Sequence, residues 1–263
     1  TFKHALTHEV AYGSLLQERR VGLHARIAKA IEALYPDRLT EHVDRLAHHA
    51  FEGHIWSEAV SYCRQAGARA YERSAYAEAA AAFQRAIDAL AHLPETPESA
   101  RLGIDIRLEL RHPATLLRQF DKVSEGLREA ERLARLLSDA RRLGWVLSFL
   151  AEHYRLVHEL CDALRAAEHA MKIATTVADH DLRVVANLYL GQVCWTRGDY
   201  QAAARHLRAN VEALQGDLSR RLLGLAGPPS IISRGWLARS LAELGEFAEG
   251  ITIASDGLRI AEQ

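Results

Sequence analysis

One stretch of this sequence decides the fold, and it contains the turn between two helices. It reads Leu190-Gly191, then Gly198-Asp199-Tyr200, then Ala203, Leu207 and Asn210. A large aromatic residue, Tyr200, opens the second helix, and small or apolar residues follow it at +3, +7 and +10. We interpret the large residue as filling the corner between two antiparallel helices. The glycine two residues earlier favours a left-handed turn out of the first helix.

The same pattern recurs along the chain, which makes it a repeat. Three further copies are centred on Tyr76, Leu160 and Phe247, and weaker copies on Trp56 and Phe120. In each good copy the +3 and +10 positions are small, because a neighbouring helix crosses there. Copies in phase, about 40 residues apart over much of the chain, indicate a series of helical hairpins.

The composition agrees with closely packed helices and excludes several functions. The 263 residues include 45 alanines, only 16 glycines and 6 prolines, and 33 Lys and Arg side chains balance 34 Asp and Glu side chains. Scarce glycine and proline argue against a β-sandwich or barrel. The near-zero net charge argues against a nucleic-acid surface, and no apolar run reaches the roughly 20 residues of a membrane span.

Helical periodicity runs almost from end to end, and no segment alternates as a strand would. We predict helices at 15–34, 40–52, 55–72, 75–92, 98–117, 120–138, 139–156, 160–177, 180–197, 200–215, 230–244 and 247–262. Pro113 is expected to end or kink its helix. The stretch from Gly224 to Ser230 is the clearest break in the chain.

The repeat resembles the tetratricopeptide repeat, in a variant longer than the usual 34 residues. The resemblance implies an all-α, right-handed superhelix of about six stacked antiparallel hairpins over residues 39–263. The tryptophan that this family often places early in the first helix is absent, which leaves the exact register open. Residues 1–38 are predicted to be a helical junction from a preceding domain.

The N-terminal part carries a second resemblance, in Phe2-Lys3-His4-Ala5-Leu6 and onward through Leu23-His24 and Ile27-Ala28. It looks like the segment that joins the nucleotide-binding core of bacterial signal-transduction ATPases, of the STAND or AAA type, to C-terminal repeats. The continuation from Tyr35 to Ala50 is similar to proteins that carry a class III adenylate/guanylate cyclase domain. The resemblance implies a parent protein in which such domains precede the repeats. The phosphate-binding loop of an ATPase is absent from this chain.

The histidines and cysteines that could hold a metal or catalyse a reaction are interpreted as structural residues. His42, His48, His49 and His54 fall close together, and His4 and His8 are one helical turn apart, but no complete ligand set is recognisable. Cys161 near His158 and Asp162 cannot form a catalytic relay at that spacing. We therefore predict no metal, no cofactor and no enzyme in this chain. Three well-separated cysteines are expected to be buried free thiols, which favours a cytoplasmic location.

A groove is the better candidate for function, because the first helix of each pair lines the concave face of such a superhelix. In the register above, residues five and eight before the opening residue point inward. The candidate groove residues are Tyr71, Glu152, Arg155, Gln192, Trp195 and Arg239, with Trp145 and Leu188 further back. Burial of Trp145 and Trp195 between repeats is the alternative.

These residues predict a partner-binding arm rather than a catalyst. A protein, a peptide or a small effector would bind in the groove and shift how the repeats dock on the ATPase domain of the parent. In the resembled family this would regulate an upstream cyclase. A self-association scaffold, including a homodimer, and the regulatory arm of an ATPase-type transcriptional regulator are the alternatives. No nucleic acid and no membrane are expected as partners.

Overall fold

A computed structural model describes residues 13–262, and all regular structure in this range is helical. Twelve α-helices follow one another, with 3₁₀ helices at Pro36–His42 and Gly216–Arg220. The α-helices are α1 (Gln17–Leu34), α2 (Val43–Glu52), α3 (Trp56–Glu72), α4 (Tyr76–Leu90), α5 (Pro97–Leu116), α6 (Phe120–Leu136), α7 (Ala140–Leu156), α8 (Leu160–Thr176), α9 (His180–Thr196), α10 (Tyr200–Ala213), α11 (Pro229–Glu243) and α12 (Phe247–Ala261). The prediction of an all-α fold is confirmed.

The chain divides into two compact units at residues 118 and 119. Within unit 1, each of the helices α1 to α5 packs against the next. Within unit 2, successive helices from α6 to α12 pack together, and α9 also packs against α7 and α11. The domain boundary predicted between residues 38 and 39 stays a prediction, and the junction residues 1–12, including His4 and His8, lie outside the described range.

Helix starts repeat with high regularity in unit 2, because the same cap and turn recur. Helices α6 to α10 begin at Phe120, Ala140, Leu160, His180 and Tyr200, so each begins 20 residues after the one before. Aspartates cap three of the helices of unit 2: the Asp139, Asp179 and Asp199 carboxylates each accept a backbone N–H three residues on, at 3.0 Å. Such caps satisfy donors that the first turn leaves unpaired.

Eight of the eleven connections between the α-helices have one left-handed residue two positions before the next helix. Gly198 and Gly245 have φ of +82° and +80°, which confirms the left-handed turn expected from the sequence. The same conformation occurs without glycine at His54, Ser74, Arg118, Ser138, His158 and Ala178. A backbone hydrogen bond that closes the preceding helix accompanies the turn with and without glycine, as from Asp199 N–H to Cys194 O at 2.9 Å and from Asp179 N–H to Ala174 O at 3.1 Å.

The core rests on a size match between the two helices of a hairpin. A Cβ added at Gly191 would lie 2.6 Å from Leu207 Cγ, and one added at Gly67 would lie 2.8 Å from the Phe83 ring. At the equivalent positions of the hairpin around Leu160 both partners are alanines, Ala151 and Ala167, each with no exposed surface. In the hairpins of Gly191 and Gly67, a large residue at +7 therefore packs against a glycine nine residues before the opening residue.

Two sequence-based predictions about single residues fail. Helix α5 continues three residues beyond Pro113 to Leu116, so of the predicted end or kink the end is wrong and the kink stays a prediction. Cys161 is exposed, whereas Cys63 and Cys194 are buried free thiols as predicted. Cys161 lies in the first turn of α8 directly after Leu160, on the side that faces solvent.

Candidate functional site

The candidate site lies on three neighbouring helices of unit 2: α7, α9 and α11. Each is the first helix of its hairpin, and α9 packs against both others. This arrangement brings equivalent positions of successive hairpins together. The rings of Trp195 on α9 and Trp236 on α11 meet edge to face, with centroids 5.2 Å apart. Such pairs are favourable beyond the apolar area that they bury.

Two arginines flank the tryptophan pair. The Arg239 guanidinium carbon lies 5.2 Å from the centroid of the Trp195 ring and 4.9 Å from that of Trp236. The Arg155 guanidinium carbon lies 5.5 Å from the Trp236 centroid. These distances are those of cation–π contacts, which hold a guanidinium in place without neutralising it. We call Arg155, Trp195, Trp236 and Arg239 the aromatic–arginine cluster.

The cluster contains hydrogen-bond donors that are shielded from solvent and unpaired. Arg155 Nε and Trp195 Nε1 have no acceptor among the residues that the structure describes. Burial lowers the pKa of the Arg155 guanidinium from its ordinary value, and the nearby Glu152 carboxylate opposes that effect. A buried donor without an acceptor costs about 1–3 kcal/mol.

A polar and aromatic wall continues from the cluster along α7 and α9. The Tyr189 hydroxyl donates to Glu152 Oε2 at 3.0 Å. The Tyr189 ring lies edge to face with Phe149, at 6.0 Å between centroids. Position eleven before the opening residue is thus aromatic in all three hairpins, as Phe149, Tyr189 and Trp236. The hydrogen bond from Tyr189 fixes the carboxylate of Glu152 beside the arginine.

The predicted groove residues of unit 2 divide into two sets. The structure brings Arg155, Trp195 and Arg239 together in the cluster, with Glu152 next to it. Leu188 is 1% exposed and Gln192 is 5% exposed, so neither side chain is accessible to a partner. Trp145 is half-buried and contacts Phe149, with ring centroids 5.9 Å apart. It is not in contact with the cluster. The role of these residues in binding stays a prediction.

Tyr71 belongs to unit 1 and has its own surroundings there. Its hydroxyl lies 2.8 Å from His112 Nδ1, and its ring lies 5.8 Å from that of Tyr76. Burial raises the pKa of the Tyr71 phenol. The neighbouring faces of α3 and α5 also carry a two-point ion pair between Arg64 and Glu109, at 2.6 Å. Tyr71 is therefore engaged in helix packing within this unit.

Sequence reasoning missed Trp236, which is the centre of the cluster. The chosen register considered positions five and eight before the opening residue, and Trp236 lies at position eleven. The signal that could have found it was present, because that position is aromatic in three successive hairpins.

Comparison with known proteins agrees with the helical repeats. Residues 142–215 match the family model described as a tetratricopeptide repeat. The chain contains a tetratricopeptide-repeat region. The matched residues run from α7 to just beyond α10, and they include Arg155 and Trp195 of the cluster. No curated protein matches the chain in sequence.

Solved structures with similar folds share little sequence with this repeat chain. A Rap protein complexed with competence and sporulation factor aligns with a TM-score of 0.66 at 12% identity, over 94% of this chain and 76% of that one. The apo quorum sensor NprR from B. thuringiensis aligns at 0.60 and 15% identity, over 98% and 69%. BtubC from P. vanneervenii aligns at 0.60 and 13%, over 95% and 92%.

These likenesses establish the fold alone: a tetratricopeptide-like solenoid of helical hairpins, as predicted from the sequence. The match and the fold are those of a repeat region rather than of an enzyme, which agrees with the prediction that this chain is not catalytic. No helix in residues 13–262 is both long enough and apolar enough to cross a membrane.

Proposed function

We propose that residues 119–262 form a protein-interaction domain that binds an extended peptide segment bearing a carboxylate, across α7, α9 and α11. One observation carries the proposal: Arg155 Nε and Trp195 Nε1 are shielded donors without acceptors, and they lie beside a second arginine, Arg239. The site therefore presents hydrogen-bond donors and the positive charge of two guanidinium groups beside the indole rings of Trp195 and Trp236.

Such a site selects its ligand by chemistry. Guanidinium groups form their strongest hydrogen bonds with carboxylates, often through two parallel N–H donors. The Trp195 indole N–H suits a backbone carbonyl, and the two indole rings offer apolar surface to a neighbouring side chain. Tryptophan and arginine are also the residues that dominate binding energy at protein interfaces. An acidic peptide with an adjacent apolar residue fits these requirements best.

The comparisons support a peptide over a small effector. One structure with a similar fold, at a TM-score of 0.63 and 16% identity, is a Rap conjugation gene regulator in complex with the Phr* peptide. The similarity extends over most of the chain but only at the level of fold. It makes a bound peptide a reasonable occupant of the groove, and the cluster supplies the reason for an acidic one.

The wider context that we propose is a regulatory arm of a bacterial signal-transduction ATPase, located in the cytoplasm. Binding in the groove would change how the repeats dock on the ATPase domain, and in the cyclase-containing relatives this would alter cyclase output. The support is the resemblance of residues 2–28 and 35–50, most of it outside the repeats. The sequence that precedes Thr1 in the intact protein tests this part: a phosphate-binding loop there is expected.

A peptide-display selection against the purified chain tests the binding proposal. Random heptapeptides are selected on the wild-type chain and then measured by fluorescence anisotropy against Arg155→Met, Trp236→Ala and Arg205→Met. Arg205 is an exposed arginine on α10 and serves as the matched control. We expect acidic peptides to be enriched and both cluster variants to bind them at least about tenfold more weakly, since a hot-spot truncation costs about 2 kcal/mol or more.

The result that contradicts the proposal is equally direct. Selected peptides without acidic residues, or peptides that bind both cluster variants as tightly as the wild type, would place recognition elsewhere. The alternative of a self-association scaffold requires a dimer or larger assembly at micromolar concentration, which light scattering detects. If Trp236→Ala dissociates such an assembly, the cluster is a self-association surface instead.

A further inference from the structure

Three histidines that are distant in the sequence converge in unit 1. His24 lies on α1, whereas His48 and His49 lie on α2. His24 Nδ1 and His49 Nδ1 are 2.8 Å apart. Each of the three rings lies 5.0–5.3 Å from the other two, centroid to centroid. One nitrogen from each ring can be chosen so that all three lie within 4.8 Å of one another.

The backbone holds these rings together. At Gly53, directly after α2, a Cβ would lie 2.6 Å from Ala25 N and 2.9 Å from Ala25 Cα. Only glycine permits so close an approach, and Ala25 is the residue that follows His24. The two helices are thus in backbone contact close to His24 and His49, which fixes the separation of their backbones there.

Burial is graded across the group in the way that an open coordination site requires. His24 is 6% exposed, His49 is half-buried and His48 is exposed. An ion held by all three would therefore be shielded on one side and accessible to solvent on the other. Metal sites with three protein ligands and one open position have this form.

We propose that His24, His48 and His49 form a binding site for Zn²⁺ or a similar first-row divalent cation, with a solvent molecule as fourth ligand. A tetrahedral zinc with bonds of about 2.0–2.1 Å separates its ligand nitrogens by roughly 3.3 Å. The His24–His49 pair needs to open by only about 0.5 Å to reach that separation. The site is independent of the aromatic–arginine cluster, which lies in unit 2.

The alternative is a packing cluster in which His24 and His49 share one hydrogen bond. That arrangement requires one Nδ1–H tautomer facing one Nδ1 acceptor, and it gives no role to His48. A metal ion would bind an unprotonated ring nitrogen of each of the three histidines, so all three imidazoles would act as electron-pair donors. Sequence spacing grouped His48 and His49 with His42 and His54 but not with His24, because His24 is 24 residues before His48.

Calorimetric titration of the metal-stripped 263-residue chain with ZnCl₂ tests the site. We expect one ion per chain, and binding at least about 100-fold weaker in His48→Ala, because losing even a second-shell partner costs about 10–100-fold. His48 is exposed, so this variant is expected to fold. His169→Ala removes an exposed histidine of α8 and is the matched control, expected to bind as the wild type does.

A second measurement guards against indirect effects. Co²⁺ in place of Zn²⁺ should give the intense visible absorption of a tetrahedral site in the wild type and in His169→Ala, and should lose it in His48→Ala and His49→Gln. Absence of stoichiometric binding by the wild-type chain overturns the proposal. Equal binding by the wild type and His48→Ala does so as well, because the ion would then lie elsewhere.

Discussion

The size match at Gly191 supports a quantitative prediction for Gly191→Ala. The new Cβ would lie 2.6, 2.9 and 3.2 Å from Cγ, Cδ2 and Cδ1 of Leu207, whose side chain is completely buried. The whole branched end of the leucine is in the way, so rotation of one methyl group cannot relieve the clash. Overpacking of this kind costs about 1–3 kcal/mol, whereas alanine gains about 1 kcal/mol in helix propensity. We expect a net loss of about 1 kcal/mol.

A matched control is available in Gly235→Ala on α11. Gly235 is exposed, and nothing lies within 4 Å of the added Cβ. Only the propensity gain remains, so this variant should be more stable than the wild type by up to about 1 kcal/mol. The two glycine-to-alanine changes are chemically identical and should have opposite signs.

Urea unfolding followed by tryptophan fluorescence measures both, since three of the four tryptophans lie in unit 2. A double-mutant cycle with Leu207→Ala isolates the contact. Leu207→Ala alone should cost about 2–5 kcal/mol. The double variant recreates the alanine pair of Ala151 and Ala167, so it should be less destabilised than the sum of the single variants, by about 1 kcal/mol or more. Additive losses, or a stabilising Gly191→Ala, would refute the size match.

Three further predictions concern stability. Ala178→Gly should raise the free energy of unfolding by about 0.5–1 kcal/mol in urea, because it relieves the strain of an alanine in the left-handed conformation. The control Ala209→Gly, on the exposed face of α10, should lower the free energy of unfolding by about 1 kcal/mol. Equal effects of the two changes would contradict backbone strain at Ala178. Asn210→Ala should lower the free energy of unfolding by about 1–3 kcal/mol, because the buried Asn210 amide donates to Val184 O at 2.8 Å and to Ser233 Oγ at 3.2 Å; a neutral result would show that the amide is dispensable. Because the pKa of His49 is about 4 when folded and about 6.5 when unfolded, stability should be full above pH 6.5 and fall as the pH drops toward 4. Urea titrations at several pH values, with chelator present, should show this fall in the free energy of unfolding. An unchanged fall in His49→Gln would show that another group causes it.

The helices were predictable because the repeat determines them locally. Around Tyr200, the glycine at −2 identifies a left-handed turn and the small residue at +3 identifies a buried position, and both occur as predicted. The left-handed turns at Ala178 and Ser74 could not be read from the sequence, because alanine and serine give no sign of that conformation. Backbone hydrogen bonds from Asp179 N–H to Ala174 O and from Ala75 N–H to Ala70 O close these turns, and they involve no side chain that the sequence would reveal.

The candidate site was only partly predictable, for a geometric reason. Arg155, Trp195 and Arg239 lie on separate helices at repeat positions, so a correct register was enough to group them. Leu188 and Gln192 are on the buried side of α9, because a helix surrounded by α7, α8, α10 and α11 has only a narrow accessible face. The meeting of His24 with His49 lies outside the clear repeats, and no spacing rule predicts it.

The uneven packing of the last hairpin has a consequence for the energetics of binding. Helix α12 buries only Gly250 and Gly257, while Phe247, Ile251 and Leu258 are more than 60% exposed. By contrast, α9 is buried on most of its surface. Local opening of a repeat array begins where such contacts are fewest. A ligand held between Trp195 on α9 and Arg239 on α11 would therefore bind one firmly anchored helix and one whose hairpin opens readily, so part of its binding free energy would go into closing that hairpin. Hydrogen exchange in α11 and α12 should slow on binding, while exchange in α9 should change little.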